Sequence, residues 1–166
     1  VYKRDVTGTI STVAGGGIYD SNNSEEGIPA LNATLTSVSG LFIDGNGNLF
    51  ITDEARRTVR KVDTNGIITT VIGINAGLNA PRGIAVDANG LIYVADVNDG
   101  RIRKRDSNGN ISTVAGTGVE GAGGDGGLAI NAQLNHPMAV AIDAMGNLLI
   151  ADANSLRIRK VDANGI

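Results

Sequence analysis

Apolar positions in this chain come in short bursts, each closed by an Asp or by a turn containing Gly, and the bursts recur over a long period. Three segments align without a gap. They are Gly40–Gly66 (GLFIDGNGNLFITDEARRTVRKVDTNG), Gly83–Gly109 (GIAVDANGLIYVADVNDGRIRKRDSNG) and Ala139–Gly165 (AVAIDAMGNLLIADANSLRIRKVDANG). Within each, a first burst (GIAVD-like) ends in Asp and a DANG-like turn follows, rich in residues that tolerate positive φ. A second burst (LIYVAD-like) leads through a polar turn to a third (RIRKRD-like). After an Asn-Gly turn comes a fourth: ITTVIG at Ile68–Gly73, ISTVAG at Ile111–Gly116, and the same ISTVAG early at Ile10–Gly15.

Bursts of about five residues between evenly spaced turns predict an antiparallel meander of short strands. Four-strand units recurring every 43 to 58 residues predict the blades of a β-propeller. The strands are apolar at nearly every position because each blade would lie between two neighbours. The small residues Ala85, Ala95, Ala141 and Ala151 suit crowded inner strands. No segment carries a convincing helical period, although the stretches near Ala30–Leu35 and Ala129–Leu134 can each form one turn.

The expected architecture is all-β: residues 1–166 form a propeller segment of four-stranded antiparallel blades, with repeats near 37–73, 80–116 and 136–166. Val1 aligns with Val59, Ile102 and Ile158, and Ile166 aligns with Ile67. The chain therefore opens in a third strand and closes just after one. Three blades' worth cannot complete a ring, since propellers typically need four to eight. The expectation is half of a six-bladed ring. A second copy would close it, with Ile10–Gly15 as the outer strand of the partner's last blade. The alternative source of closure is the remaining blades of a longer chain.

The strings RIRKVD, NGNL, IAD and STVAG resemble NHL repeats of the bacterial, long-loop kind. Gly116–Pro137 (GTGVEGAGGDGGLAINAQLNHP) is similar to the glycine-rich connections such repeats carry between blades. The resemblance covers nearly the whole chain. It implies a propeller, usually six-bladed, in a family that spans protein-binding and RNA-binding modules, extracellular scaffolds and a few lyases. It also implies a secreted or cell-surface location. Fold alone does not choose among those functions.

Composition narrows the choice. Gly is abundant at 24 residues, aromatics are only 3%, and Cys is absent, which removes disulfides and thiolate metal sites. A net charge of −3 argues against a general nucleic-acid binder. No apolar run is long enough to span a membrane.

Two Asp columns and one Arg column carry the candidate chemistry. Asp53, Asp96 and Asp152 each precede Arg60, Arg103 or Arg159 by seven residues. They can form a ligand or metal site, or cap turns and face the Arg across a hairpin. Repetition in every blade favours the capping role. Asp44, Asp87 and Asp143 end the first strands, where carboxylates can ring a channel mouth around a cation or bond the following turn. Eleven of the fourteen Lys and Arg fall in or beside the third strands (Arg56–Lys61, Arg101–Arg105, Arg157–Lys160). That placement fits a polyanion surface or solvated outer strands, and stacking aromatics are missing.

The only histidine, His136, cannot build the His cluster that lyases of this family resemblance use. No catalytic residue and no cofactor site is assigned, and metal binding stays open. The expected function is a protein-interaction or structural scaffold, contacting a protein or glycan partner through the connections Gly15–Ser37 and Gly116–His136. The alternative is part of a propeller enzyme, a metal-dependent lyase or hydrolase, with catalytic residues outside this chain. Asn22, Asn32 and Asn110 head N-x-Ser/Thr triplets.

Overall fold

The computed structural model describes residues 1–18 and 25–166. All its regular elements are antiparallel strands apart from four single turns of 3-10 helix. A ribbon of β1 (Tyr2–Arg4) and β2 (Ile10–Thr12) comes first. Next is a five-stranded sheet of β3 (Ile28–Pro29), β4 (Val38–Ile43), β5 (Leu49–Asp53), β6 (Thr58–Val62) and β7 (Ile67–Ile72), in the order β3-β7-β6-β5-β4. A four-stranded sheet holds β8 (Pro81–Val86), β9 (Ile92–Asp96), β10 (Arg101–Arg105) and β11 (Ile111–Ala115). A three-stranded sheet holds β12 (Pro137–Ile142), β13 (Leu148–Asp152) and β14 (Arg157–Val161).

Each sheet is a meander because its turns are built the same way. The Asp44 carboxylate accepts bonds from the amides of Asn46 and Asn48, and its own carbonyl accepts from Gly47, which has φ +85°. A side chain that mimics a backbone turn, followed by a residue free to take positive φ, reverses the chain in four residues. The pattern repeats at Asp87 and Asp143.

The sheets stack face to face, with β8 between β4 and β12 at the centre, in a propeller arrangement. The inner strands touch backbone to backbone. A Cβ placed on Gly83 would lie 2.5 Å from the Cα of Ala139. Separate apolar layers fill the spaces between sheets. Phe50, Val59, Ile72, Ile84 and Val94 join the first large sheet to the second. Ala85, Ala95, Ile102, Leu134, Val140 and Ile150 join the second to the third. Ala14, Ala33, Ile51 and Ile68 seat the β1–β2 ribbon on the first large sheet.

Beyond these layers, apolar side chains stay open at both ends of the stack. Leu41 is 51% exposed, whereas Ile84 in the same column is 6% exposed. At the other end Ile158 is 73% exposed, whereas its column partners Val59 and Ile102 are fully buried.

The single-turn stretches do form, at Ala30–Asn32 and Ala129–Asn131. Two more turns, Ile74–Ala76 and Val97–Asp99, interrupt regions read as plain turns. The strand β3 is also additional. Before entering its sheet, the connection pairs with the outer edge of that same sheet, Ile28 opposite Ile68 and Pro29 opposite Ile67. It thereby covers an edge that would otherwise present unpaired backbone groups. No helix among the described residues is long and apolar enough to cross a membrane.

Candidate functional site

The described parts of the two long connections, residues 15–18, 25–37 and 116–136, are held by the charged columns seen in the sequence. Asp53, Asp96 and Asp152 end the second strands and are fully buried. None caps its own hairpin alone. Each reaches into the segment that enters the inner strand. Asp53 accepts from the amides of Thr36 (2.9 Å) and Ser37 (3.0 Å) and from the Thr36 hydroxyl (2.6 Å). Asp96 accepts from Asn79 (2.9 Å) and Ala80 (2.8 Å), and Asp152 from Asn135 (2.7 Å). Burial pushes the Asp96 carboxyl above its ordinary value, and the Ala80 and Asn79 amides work against that. These carboxylates replace water for backbone donors where the chain dives inward.

The third-strand arginines secure the outer half of the same connections. Arg60 is 2% exposed. Its guanidinium donates to the Glu25 carbonyl at 2.6 Å and lies 3.9 Å from the Glu26 carboxylate. Burial lowers its pKa, while Glu26 and Glu25 oppose the shift. Arg159 does the same in the last sheet. Nε donates to Asp125 at 2.8 Å, Nη2 to the Gly123 carbonyl at 3.1 Å, and Nη1 reaches the Gln133 carbonyl. Asp152 stands 3.5 Å from Nη1. The middle sheet follows a short connection, and there Arg103 turns instead to Asp99 at 3.7 Å. Arg101 and Arg157 hold the carbonyls of Thr117 and Ala122.

Arg60 and Arg159 are therefore not solvated outer-strand residues, as one reading of the sequence had them. A planar fork with several donors suits a glycine-rich loop that offers bare carbonyls.

The Asp44, Asp87 and Asp143 carboxylates are engaged by the turns that follow them. The Asn147 side chain and amide hold Asp143 below the usual carboxylate range. A matching set closes the third-to-fourth-strand turns at Asp5, Asp63, Asp106 and Asp162. The sequence reading passed over this second set, although the strings DTNG, DSNG and DANG carry the same signal. No group of three or more His, Cys, Asp and Glu among the described residues is placed to hold a metal.

His136 sits at the mouth of β12 with φ +53°. Its Nδ1 lies 3.0 Å from Asn135 Oδ1, 3.0 Å from Asn154 Nδ2 and 3.8 Å from Glu120. Asn110 donates its side-chain amide to Asp106, and Asn32 is exposed. Asn22 lies outside the described residues.

On these clamped frames, equivalent positions of both connections turn bulky apolar side chains to solvent. Ile18 matches Val119, and Leu31 matches Ile130. All four are exposed.

One set of known proteins resembles this chain in sequence and another in shape. Residues 3–78 and 73–122 match the profile of the Teneurin NHL domain. Teneurin-3 of Mus musculus is 39% identical over 74 residues, 42% of this chain and 3% of that protein. Teneurin-1 of Caenorhabditis elegans is 55% identical over 42 residues, 25% of this chain and 2% of that protein. The chain thus spans a small fraction of these relatives' length.

Among solved structures, a streptogramin B lyase superposes with a TM-score of 0.66 at 16% identity, covering 99% of this chain and 45% of that one. A chain of a Nidogen/Laminin complex superposes at 0.60 and 23% identity, covering 77% and 45%. At such identities the structural likeness speaks for the propeller fold alone. The profile match, which runs over most of the chain, settles the kinship: the chain belongs to the Teneurin NHL domain family.

Proposed function

We propose that this chain is an interaction or structural scaffold built from NHL repeats, with the two glycine-rich connections as its contact surface. One observation carries the reading. Exposed apolar side chains recur at matching places, Ile18 with Val119 and Leu31 with Ile130, on loops whose backbones are fixed from beneath by Arg60 and Arg159. A preorganised loop loses little entropy on binding, and propeller-type scaffolds commonly put their contacts on such loops. The partner class is a protein or a glycan at the cell surface or outside it.

The same proposal includes the half-ring. Three blades' worth of sheets leave Leu41 and Ile158 open at opposite ends. The lyase that the chain superposes on is about twice as long. Six blades, completed by a second copy or by further blades, would bury both ends.

Binding of the purified chain to panels of cell-surface ectodomains and glycans tests the contact surface. Val119→Asp and Ile130→Asp should abolish a chelator-insensitive interaction without changing the far-ultraviolet circular dichroism. Binding that survives both substitutions would refute the assignment. Hydrolase or lyase turnover lost on chelation would favour the enzyme reading instead.

A further inference from the structure

The middle sheet differs from the five-stranded one at its outer edge. In the five-stranded sheet β3 pairs with the far side of β7. The middle sheet ends at β11, the equivalent strand, and among the described residues no strand pairs beyond it. The connections explain the difference. A long one, residues 15–37, supplies β3 on its way into the first sheet. The short one into the middle sheet, residues 73–80, makes the single turn Ile74–Ala76 and enters β8 directly.

The segment around β3 makes a specific set of bonds to β7. Gly27 and Ala30 donate their amides to the Ile68 and Gly66 carbonyls at 2.9 and 2.8 Å. The Glu26 carboxylate accepts from the Thr70 amide at 2.7 Å and from the Thr70 hydroxyl, and it lies 3.9 Å from Arg60. The other long connection repeats the scheme in a different sequence. Asp125 precedes Ala129 by four residues, as Glu26 precedes Ala30. It accepts from Arg159 at 2.8 Å, and Ala129 donates to Gly165 at 2.8 Å. Both connections thus lay a carboxylate against the third-strand arginine.

The middle sheet has the receiving half of this arrangement only. Arg103 faces Thr113 and Lys104 faces Ser112, in the register that sets Arg60 against Thr70 and Lys61 against Thr69. Both ladders shift at the same place, between Ile102 and Arg103 and between Val59 and Arg60. The Thr113 amide and the Ile111 and Gly109 carbonyls therefore point outward, as their counterparts in the five-stranded sheet do. Arg103 Nη1 is 3.7 Å from Asp99, beyond hydrogen-bond reach, and Asp99 is itself bonded by Arg101 at 2.7 Å. The Arg103 side chain is 18% exposed where that of Arg60 is 2%. Ile111 is half-buried where Ile68 is fully buried.

The geometry points to a docking edge for another protein: an extended segment bearing Glu or Asp adds to the outer side of β11 at Gly109–Thr113 and sets its carboxylate on the Thr113 amide and the Arg103 guanidinium. Strand addition to an open edge takes affinity from backbone bonds and selectivity from side chains. The segments that this chain lays over Arg60 and Arg159 define the chemistry that fits. The edge is far in sequence from both ends of the chain, and it is separate from the exposed apolar residues of the long connections.

Asp99 narrows the choice of partner. It occupies the position of Arg56, which pairs with Glu25 at 3.6 Å. A second acid just ahead of the first would meet Asp99 where Glu25 meets Arg56, and like charges repel across an interface. The matching segment therefore has a single acid, followed after one residue by an apolar one.

The probe is a capped synthetic peptide of residues 25–31 carrying Glu25→Gln. Titrated into the isotope-labelled chain, it should shift the amide signals of Ile111–Thr113 saturably and slow hydrogen exchange at Thr113. Adding Glu26→Gln to the peptide, or Arg103→Gln to the chain, should raise the dissociation constant about tenfold or more. The peptide change needs no variant protein, so it reads the carboxylate even if Arg103→Gln disturbs the fold. The peptide with its natural Glu25 should bind more weakly, and Asp99→Asn should remove that difference. No saturable shift at millimolar peptide, or shifts centred away from Gly109–Thr113, overturns the docking edge. Equal binding with and without the Glu26 carboxylate overturns the part given to Arg103. Protection of the Thr113 amide that is present without peptide and lost on dilution would assign the edge to a second copy and overturn the separate partner.

Discussion

Arg159 offers the sharpest measurement of what the clamps are worth. Its side chain is 8% exposed and touches two carboxylates of opposite character. Asp125 is 65% exposed, whereas Asp152 is fully buried. Among the described residues, the Asp152 Oδ2 atom has no hydrogen-bond partner, while Oδ1 accepts from Asn135. Removing the guanidinium by Arg159→Ala leaves that buried carboxylate with one amide and no nearby cation. Breaking a buried pair from one side costs about 3–5 kcal/mol. The surviving Asn135 bond puts the expectation near the lower end, about 3 kcal/mol.

Asp125→Asn removes only a solvent-screened pair and should cost about 0.5–1 kcal/mol. Asp152→Asn relieves the charge that Arg159 neutralises, so the double variant Asp152→Asn/Arg159→Ala should be less damaged than the sum of its parts. The coupling should be about 2 kcal/mol, within the range for residues in contact. Urea unfolding followed by circular dichroism gives all four stabilities, provided the slope stays constant across the set. If Arg159→Ala cost no more than Asp125→Asn, or if the coupling fell below about 0.5 kcal/mol, the buried carboxylate would not be the reason this arginine is here.

Gly83→Ala should destabilise by about 2 kcal/mol or more, because its Cβ would stand 2.5 Å from the Ala139 Cα and the two inner strands must separate. Gly45→Ala, with nothing within 4 Å, is the matched control and should be near neutral in the same melt. On acidification, Asp106 and Asp143 should titrate below the ordinary carboxylate value, held down first by the side chains of Asn110 and Asn147. A depressed folded pKa means their contribution is present above the unfolded value, about 3.9, and is lost as pH falls through the folded one. Asp96, raised by burial, acts oppositely: its contribution is full below the unfolded value and fades as pH rises through the folded one. Carboxyl NMR titration of Asp106 at or above 3.8 would contradict the turn geometry.

The strands and their order were legible because two periods coincide in this chain. Apolar bursts fix each strand, and the Asp-x-x-Gly string after it fixes each turn. Asp44, Asp87 and Asp143 could be read as turn residues from their spacing alone, and Asp63, Asp106 and Asp162 carry an equal signal. What the Asp53 and Arg60 columns do was less legible, for a physical reason. Asp152 does face Arg159 across the hairpin, but most of the bonds run to a connection whose backbone supplies them: Thr36, Ser37 and Asn135 give amides, and Glu25, Gly123 and Gln133 give carbonyls. A backbone donor or acceptor has no residue type, so no pattern of letters announces it. The added edge strand at Ile28–Pro29 was hidden similarly, since a two-residue ladder needs no hydrophobic period.

Clamping follows the length of the connection. Arg60 and Arg159 stand in sheets entered by long connections and fix those backbones, whereas Arg103, after a short one, turns to Asp99. The clamp on Asp125, Gly123 and Gln133 holds the backbone on either side of Gly127, whose amide donates to the Gly124 carbonyl. Arg159→Ala should therefore speed hydrogen exchange at Gly127, while Arg103→Ala should leave exchange there unchanged. Equal exchange at Gly127 with and without the Arg159 guanidinium would mean that the arginine contributes nothing to the order of this connection.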